Sequence, residues 1–278
     1  MLKLLRSDLY RALHRGGGMR GCLIAWVVIM LGVCVAMKLV PLLNGENGTT
    51  WAFSTSLDMY GMLALITYVF MLVAAIDAVH VGSADLASGF VRSVVPTCGK
   101  VAYYAEKLVL AFVIPAVMLV LSILIISVGA LVTGVQVYEW SSPLDVLAWA
   151  ALVVFLTGSV ACLGLSVAWA LKNGGAGKAL VVLICLGIIE SLVGTGVMFA
   201  FPTSDVAIEA VKVINEWCPT NAYSMLCSSD LLSDLAGIPE MGGLTMTDYI
   251  VKHVLGTGGA TVAVSVLLTF LVGKRREL

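Results

Sequence analysis

The chain has 278 residues, of which 60% are hydrophobic and only 12% charged, whereas an ordinary soluble domain carries roughly 45–50% and 25%. A water-soluble globule of this length cannot hide so much apolar surface, because its exterior still needs polar cover, so part of its solvent is lipid. The net charge of −1 excludes a global basic field for nucleic acid, and the seven scattered cysteines form no CxxC, which excludes a disulfide scaffold and argues against structural zinc.

The chain opens with Leu2, Leu5, Leu9 and Leu13 at helical spacing and Lys3, Arg6, Arg11 and Arg15 around the remaining face, until Gly16, Gly17 and Gly18 end the pattern. Residues 1–18 therefore read as an amphipathic lead-in helix at the inner interface; the alternative is a frayed basic leader that serves topology alone. Residues 19–278 form a membrane domain. Six stretches lack charge or nearly so: 17 residues between Arg20 and Lys38, 18 between Asp58 and Asp77, 31 between Lys107 and Glu139, 26 between Asp145 and Lys172, 26 between Lys178 and Asp205 broken by Glu190, and 20 from Val254 to Gly273. A helix needs about 20 apolar residues to cross the hydrocarbon, and lipid forbids unsatisfied backbone, so each stretch is expected to be a helix. The fold class is an all-α integral membrane protein with six spans, at about residues 20–43, 59–80, 107–136, 146–171, 178–201 and 254–273. The third run exceeds one perpendicular crossing, and tilt, Pro115 or an end near Gly134 would absorb the excess. The first span is too long and lacks the cleavage site of a signal peptide.

Thirteen of the sixteen basic residues fall before span one, between spans two and three, between four and five, or after span six. The positive-inside rule then places both termini in the cytoplasm. The outer segment 202–252 puts Val206, Ala210, Val213, Ile214 and Trp217 on one helical face and Asp205, Glu209, Lys212 and Glu216 on another, the pattern of a surface helix on the outer leaflet or over the bundle. A short helix is expected near Asp230 to Leu235. Cys218 and Cys227 share this exterior region as a candidate disulfide, with two free thiols as the alternative; the other five cysteines read as small core residues.

Enzyme chemistry finds little support. Asn173 to Lys178 spells NGGAGK, but a phosphate loop requires Gly where Lys172 stands and Ser or Thr where Ala179 stands, so it reads as a flexible inner turn. His14, His80 and His253 lie in different regions without HExxH, so no metal site is expected, and no serine occupies GxSxG. Two acids fall inside spans, where charge is costly. Asp77, about one turn from the inner end of span two, reads first as a structural group at a helix end and second as a pathway group. Glu190, near the middle of span five, stands equally as a neutralised packing carboxyl and as a substrate contact.

The loop between spans two and three runs Asp85-Leu-Ala-Ser-Gly89-Phe-Val-Arg92-Ser-Val-Val-Pro96-Thr-Cys-Gly-Lys100-Val-Ala-Tyr-Tyr-Ala-Glu106-Lys107. This is similar to the cytoplasmic segment of type-2 ABC exporter permeases, in which an acid, Gly, Arg, a turn, a basic residue and Lys at the start of span three recur in that rhythm. The basic lead-in, the six spans and the outer segment follow the same plan, and Cys218-Pro219-Thr220-Asn221-Ala222 resembles a proline-containing outer turn there. The resemblance implies that Asp85, Gly89, Arg92, Lys100 and Lys107 couple the chain to an ABC ATPase subunit, with Arg92 and Lys100 docking and Asp85 and Lys107 tying the docking helix down by charge pairs or caps. ATP and Mg would sit on that partner, and no cofactor on this chain. A second permease, identical or related, would complete the pathway across the plasma membrane of a bacterial cell. The substrates implied are peptide antibiotics, drugs or lipids, including antibiotic immunity. An ion-coupled secondary transporter using Glu190 is the second reading, and a membrane enzyme or assembly scaffold the third.

Overall fold

The structure, a computed structural model, describes residues 5–8, 10, 18–43, 52–56, 59–60, 67–88, 99–201, 205–227 and 246–275. Its elements are α1 (Gly18–Leu43), β1 (Ala52–Thr55), α2 (Thr67–Ser88), α3 (Lys100–Thr133), β2 (Gln136–Glu139), α4 (Pro143–Leu171), α5 (Gly174–Cys185), α6 (Ile188–Ala200), α7 (Asp205–Glu216), α8 (Pro219–Cys227) and α9 (Met246–Arg275). Five of these, α1, α2, α3, α4 and α9, are long and apolar enough to cross a membrane, and α5 with α6 makes a sixth candidate bent by 64°. The chain is a multi-pass, helical membrane protein.

Helix boundaries depart from the charge gaps where a charge is hidden inside protein. Span two was expected at 59–80, yet α2 runs to Ser88, because Asp77 is fully buried and does not mark the membrane edge. Asp77 therefore stands in the middle of the candidate span Val69–Leu86, not one turn from its end. Likewise α3 starts at Lys100 and takes in the buried Glu106 and Lys107. Its 34 residues extend about 50 Å. Pro115 lies within it, and Gly134, at φ 75°, ends it with a left-handed cap whose N–H reaches Ala130 O. Helix α9 begins at Met246, before the expected residue 254.

Helix α4 is the bundle's axis: it packs on α2, α3, α5, α8 and α9. Apolar side chains gain little from leaving lipid for one another, so close approach and interhelical hydrogen bonds hold such a bundle. The α4–α5 crossing shows the first, since a Cβ on Gly177 would lie 2.3 Å from Gly164 O. The NGGAGK stretch is consequently not a loose turn. Lys172 caps α4 in a left-handed conformation, Asn173 caps α5 by accepting from Gly175 N, and in the first turns of α5 Gly174 lies against Ser83 of α2 and Gly177 against α4. Hydrogen bonding ties the rest: Trp26 Nε1 donates to Ser122 Oγ at 2.7 Å between α1 and α3, and Ser166 Oγ meets Ser265 O at 2.9 Å and Thr269 Oγ1 at 3.0 Å between α4 and α9.

At one end of the bundle β1 and β2 pair in parallel, Ala52 with Gln136 and Thr55 with Glu139, joining the α1–α2 and α3–α4 connections. Two strands alone are marginal in water, and this pair is braced by buried Phe53 and by Ser141 N donating to Ser56 Oγ at 3.0 Å. Nearby, Tyr60 stacks on Trp149 and bonds Ser127, while Trp149 Nε1 donates to Leu226 O of α8 at 2.9 Å.

Candidate functional site

Three groups of polar side chains interrupt the apolar bundle. The first gathers at the α2–α3 connection. Lys107 is 1% exposed and its ammonium contacts Asp85 at 2.8 Å and Asp8 of the lead-in, with Glu106 at 3.7 Å. Tyr103 Oη donates to Asp85 at 3.2 Å. Residues 5–8 are helical, and Leu5 packs on the core beside Asp8. Burying an ammonium is tolerable only against carboxylates that replace its hydration. Asp85 and Lys107, expected to tie down the inner segment at its two ends, are thus bonded to each other. Gly89 and Arg92 lie outside the described residues, as does the side chain of Lys100, whose backbone opens α3. Asp8 was missed in the sequence; its signal was a single acid inside a basic leader.

The second group surrounds Asp77, whose two oxygens have no hydrogen-bond partner among the described residues. The Cys22 thiol, outside hydrogen-bond geometry, and Lys178 of α5 are the groups that act on it. Lys178 Nζ in turn bonds His80 Nδ1 at 2.9 Å, one turn along α2.

The third group lies at the break in span five. Gly187 takes φ 65°, a left-handed conformation in which a side chain is strained, and its N–H turns back to Ile184 O while α6 restarts at Ile188. Glu190 stands in the first turn of α6, where the helix dipole favours an anion, and its Oε2 lies over Gly187. Thr220 Oγ1 of α8 donates to Oε2; Oε1 is shielded from water and has no hydrogen-bond partner among the described residues. Cys218 stands beside this carboxylate. Burial pushes its thiol up to about 12, with the nearby Glu190 charge adding to the shift.

Cys218 is a free thiol, and the candidate bond to Cys227 is not formed. Helix α8 separates the two positions by roughly 13 Å of axial rise, far beyond the 4.4–6.8 Å between Cα atoms that a disulfide spans. The expected helix near Asp230 to Leu235 lies outside the described residues.

Helix α6 leaves the bundle and packs chiefly on α5 and α7. Between α6 and α7 opens a cavity of about 710 Å³, lined by Glu190, Ser191, Thr195 and Asn215 with Met198 and Phe199. Helix α7 forms as its amphipathic pattern predicts, but Val211 and Asn215 face the cavity, while Val206 and Val213 of the expected apolar face are exposed. Trp217 instead docks on α9, with its ring 4.6 Å from that of His253 and its carbonyl accepting from Thr257. Among the described residues no three of His, Cys, Asp and Glu are arranged to hold a metal ion. No protein-family model, curated protein or solved structure matches the chain.

Proposed function

We propose that this chain is the membrane-spanning subunit of an ATP-driven exporter of the type-2 ABC permease kind, moving an apolar or amphiphilic molecule outward across a bacterial plasma membrane or out of its outer leaflet. ATP hydrolysis takes place on a separate ABC ATPase, and a second permease, identical or related, completes the pathway. The observation that carries this reading is the buried Lys107–Asp85–Asp8 knot. It fastens both ends of the inner segment containing Arg92 and Lys100, and anchors them to the lead-in, so a push on that segment would reach α2 and α3 as one rigid unit. Both termini are cytoplasmic in this arrangement, which the basic residues favour.

Charge reversal at Arg92 and Lys100 together should abolish capture of an ATPase from native membranes while insertion and yield stay normal. Unchanged capture and unchanged export would remove the docking role.

The bent α5–α6 pair favours a second reading, because secondary transporters bind substrate and coupling ions at interrupted helices. Transport by the purified chain alone, driven by an ion gradient and indifferent to ATP, would establish that reading over the exporter.

A further inference from the structure

Two polar features carry no inference beyond packing: the Lys107 ammonium is satisfied by Asp85 and Asp8, and Asp77 is fully buried inside the bundle. The α6–α7 cavity differs from both. Its volume, about 710 Å³, lies in the range that encloses a drug-sized molecule.

Its lining is ordered along α6. Glu190, Ser191, Thr195, Met198 and Phe199 recur at intervals of one, three and four residues and so form one stripe. The end at the helix break is polar, with a carboxylate and a hydroxyl; the end toward Ala200 is a thioether and a phenyl ring. Asn215 adds an amide from α7, and Val211 an apolar wall. Such a lining asks for a molecule with one polar end and one apolar body.

The sign of the polar end follows from the carboxylate. Oε2 is satisfied by Thr220, whereas Oε1 is withdrawn from water and lacks a donor. A buried oxygen of this kind carries a cost until a donor is supplied, and its charge is poorly screened in so apolar a setting. Among the described residues no lysine, arginine or histidine lines the cavity. Helix α7 adds three acids, Asp205, Glu209 and Glu216, against Lys212 alone. An anionic guest would meet an unfavourable field, and a neutral guest would leave the Glu190 charge uncompensated.

The geometry points to a binding site for a cationic amphiphile between α6 and α7, its positive group beside Glu190 and its apolar body along Met198 and Phe199. This deepens the exporter reading, on which it rests for the identity of the guest as substrate, by naming the substrate class.

Tetraphenylphosphonium and tetraphenylborate have the same shape and opposite charge, so together they isolate the sign. Binding of each is measured by equilibrium dialysis to the purified full chain in lipid nanodiscs, with empty nanodiscs subtracted and no ATPase present. The expected result is saturable phosphonium binding at one per chain, with the borate at least tenfold weaker. Glu190→Gln should weaken phosphonium binding at least tenfold, Glu190→Asp should retain most of it, and Thr195→Trp, which leaves the carboxylate in place but fills the cavity, should abolish it. Equal binding of the two ions, equal binding by wild type and Glu190→Gln, or no saturable uptake because lipid fills the groove, would each overturn the site. Normal phosphonium binding in a chain that captures no ATPase would keep the site and remove the exporter; normal ATPase capture without phosphonium binding would do the reverse.

Discussion

The two charged centres at Lys107 and Glu190 solve the problem of burial in opposite ways. At the first, an ammonium is enclosed by carboxylates from the lead-in and α2, and Tyr103 adds a hydroxyl. At the second, one carboxylate oxygen is satisfied by a single threonine and the other is left bare beside an open cavity. The first arrangement ties the lead-in, α2 and α3 together around its ammonium, although the Glu106 carboxylate beside it has no hydrogen-bond partner among the described residues. The second is incomplete, and incompleteness in an apolar setting is what a ligand or a moving element can relieve.

The sharpest way to break this contrast is to remove the cation from the first centre. Lys107→Met removes the cation that Asp8 and Asp85 share and should destabilise the folded chain by about 3–5 kcal/mol, read as a lower unfolding midpoint in detergent; a shift under about 1 kcal/mol would show that the ammonium does not hold the two carboxylates. Next in size is the close α4–α5 crossing. Gly177→Val forces a branched side chain onto Gly164 O and should cost about 1–3 kcal/mol by overpacking; a variant as stable as the parent would place the α4–α5 contact elsewhere. Smaller again is Trp149→Phe, which keeps the ring against Tyr60 but leaves Leu226 O without its donor. About 1 kcal/mol is expected, with α8 exchanging amide hydrogens faster than before.

The last test touches chemistry rather than stability. With its pKa raised to about 12, Cys218 should be almost wholly protonated at pH 8, roughly one thiolate in ten thousand. Its alkylation should therefore be far slower than that of an exposed cysteine and rise about tenfold per pH unit well past pH 9, where an ordinary thiol levels off. Glu190→Gln removes a charge that raises the shift and should speed the reaction; an unchanged rate would separate Cys218 from Glu190.

The bundle was legible in the sequence because lipid imposes a simple rule, and every charge-free run contains a long helix or a bent helix pair among its described residues. The rule failed where protein rather than lipid surrounds a charge. Asp77 marked a false boundary for span two, and Lys107 a late start for span three. The break at Gly187 was not legible, since glycines are frequent in membrane helices and this one has no proline or polar neighbour to distinguish it from Gly164 or Gly258. Asp85 and Lys107 were expected to tie down the segment between them by charge pairs or caps, but that they pair with each other was not legible, and the contribution of Asp8 required knowing that the leader folds back. Strand β2 has a recognisable alternation in Gln-Val-Tyr-Glu, but its partner lies some eighty residues earlier and no local signal connects them. Glu190 was singled out correctly as an intramembrane acid; the cavity beside it was not visible, because it depends on α6 bending away from the bundle.

The parallel strand pair has one more implication. By lacing the α1–α2 and α3–α4 connections together, it ties those two at that end of the bundle. In the proposed exporter, a covalent staple from position 53 to 137 should leave transport unchanged, whereas one from α6 to α7 should arrest it.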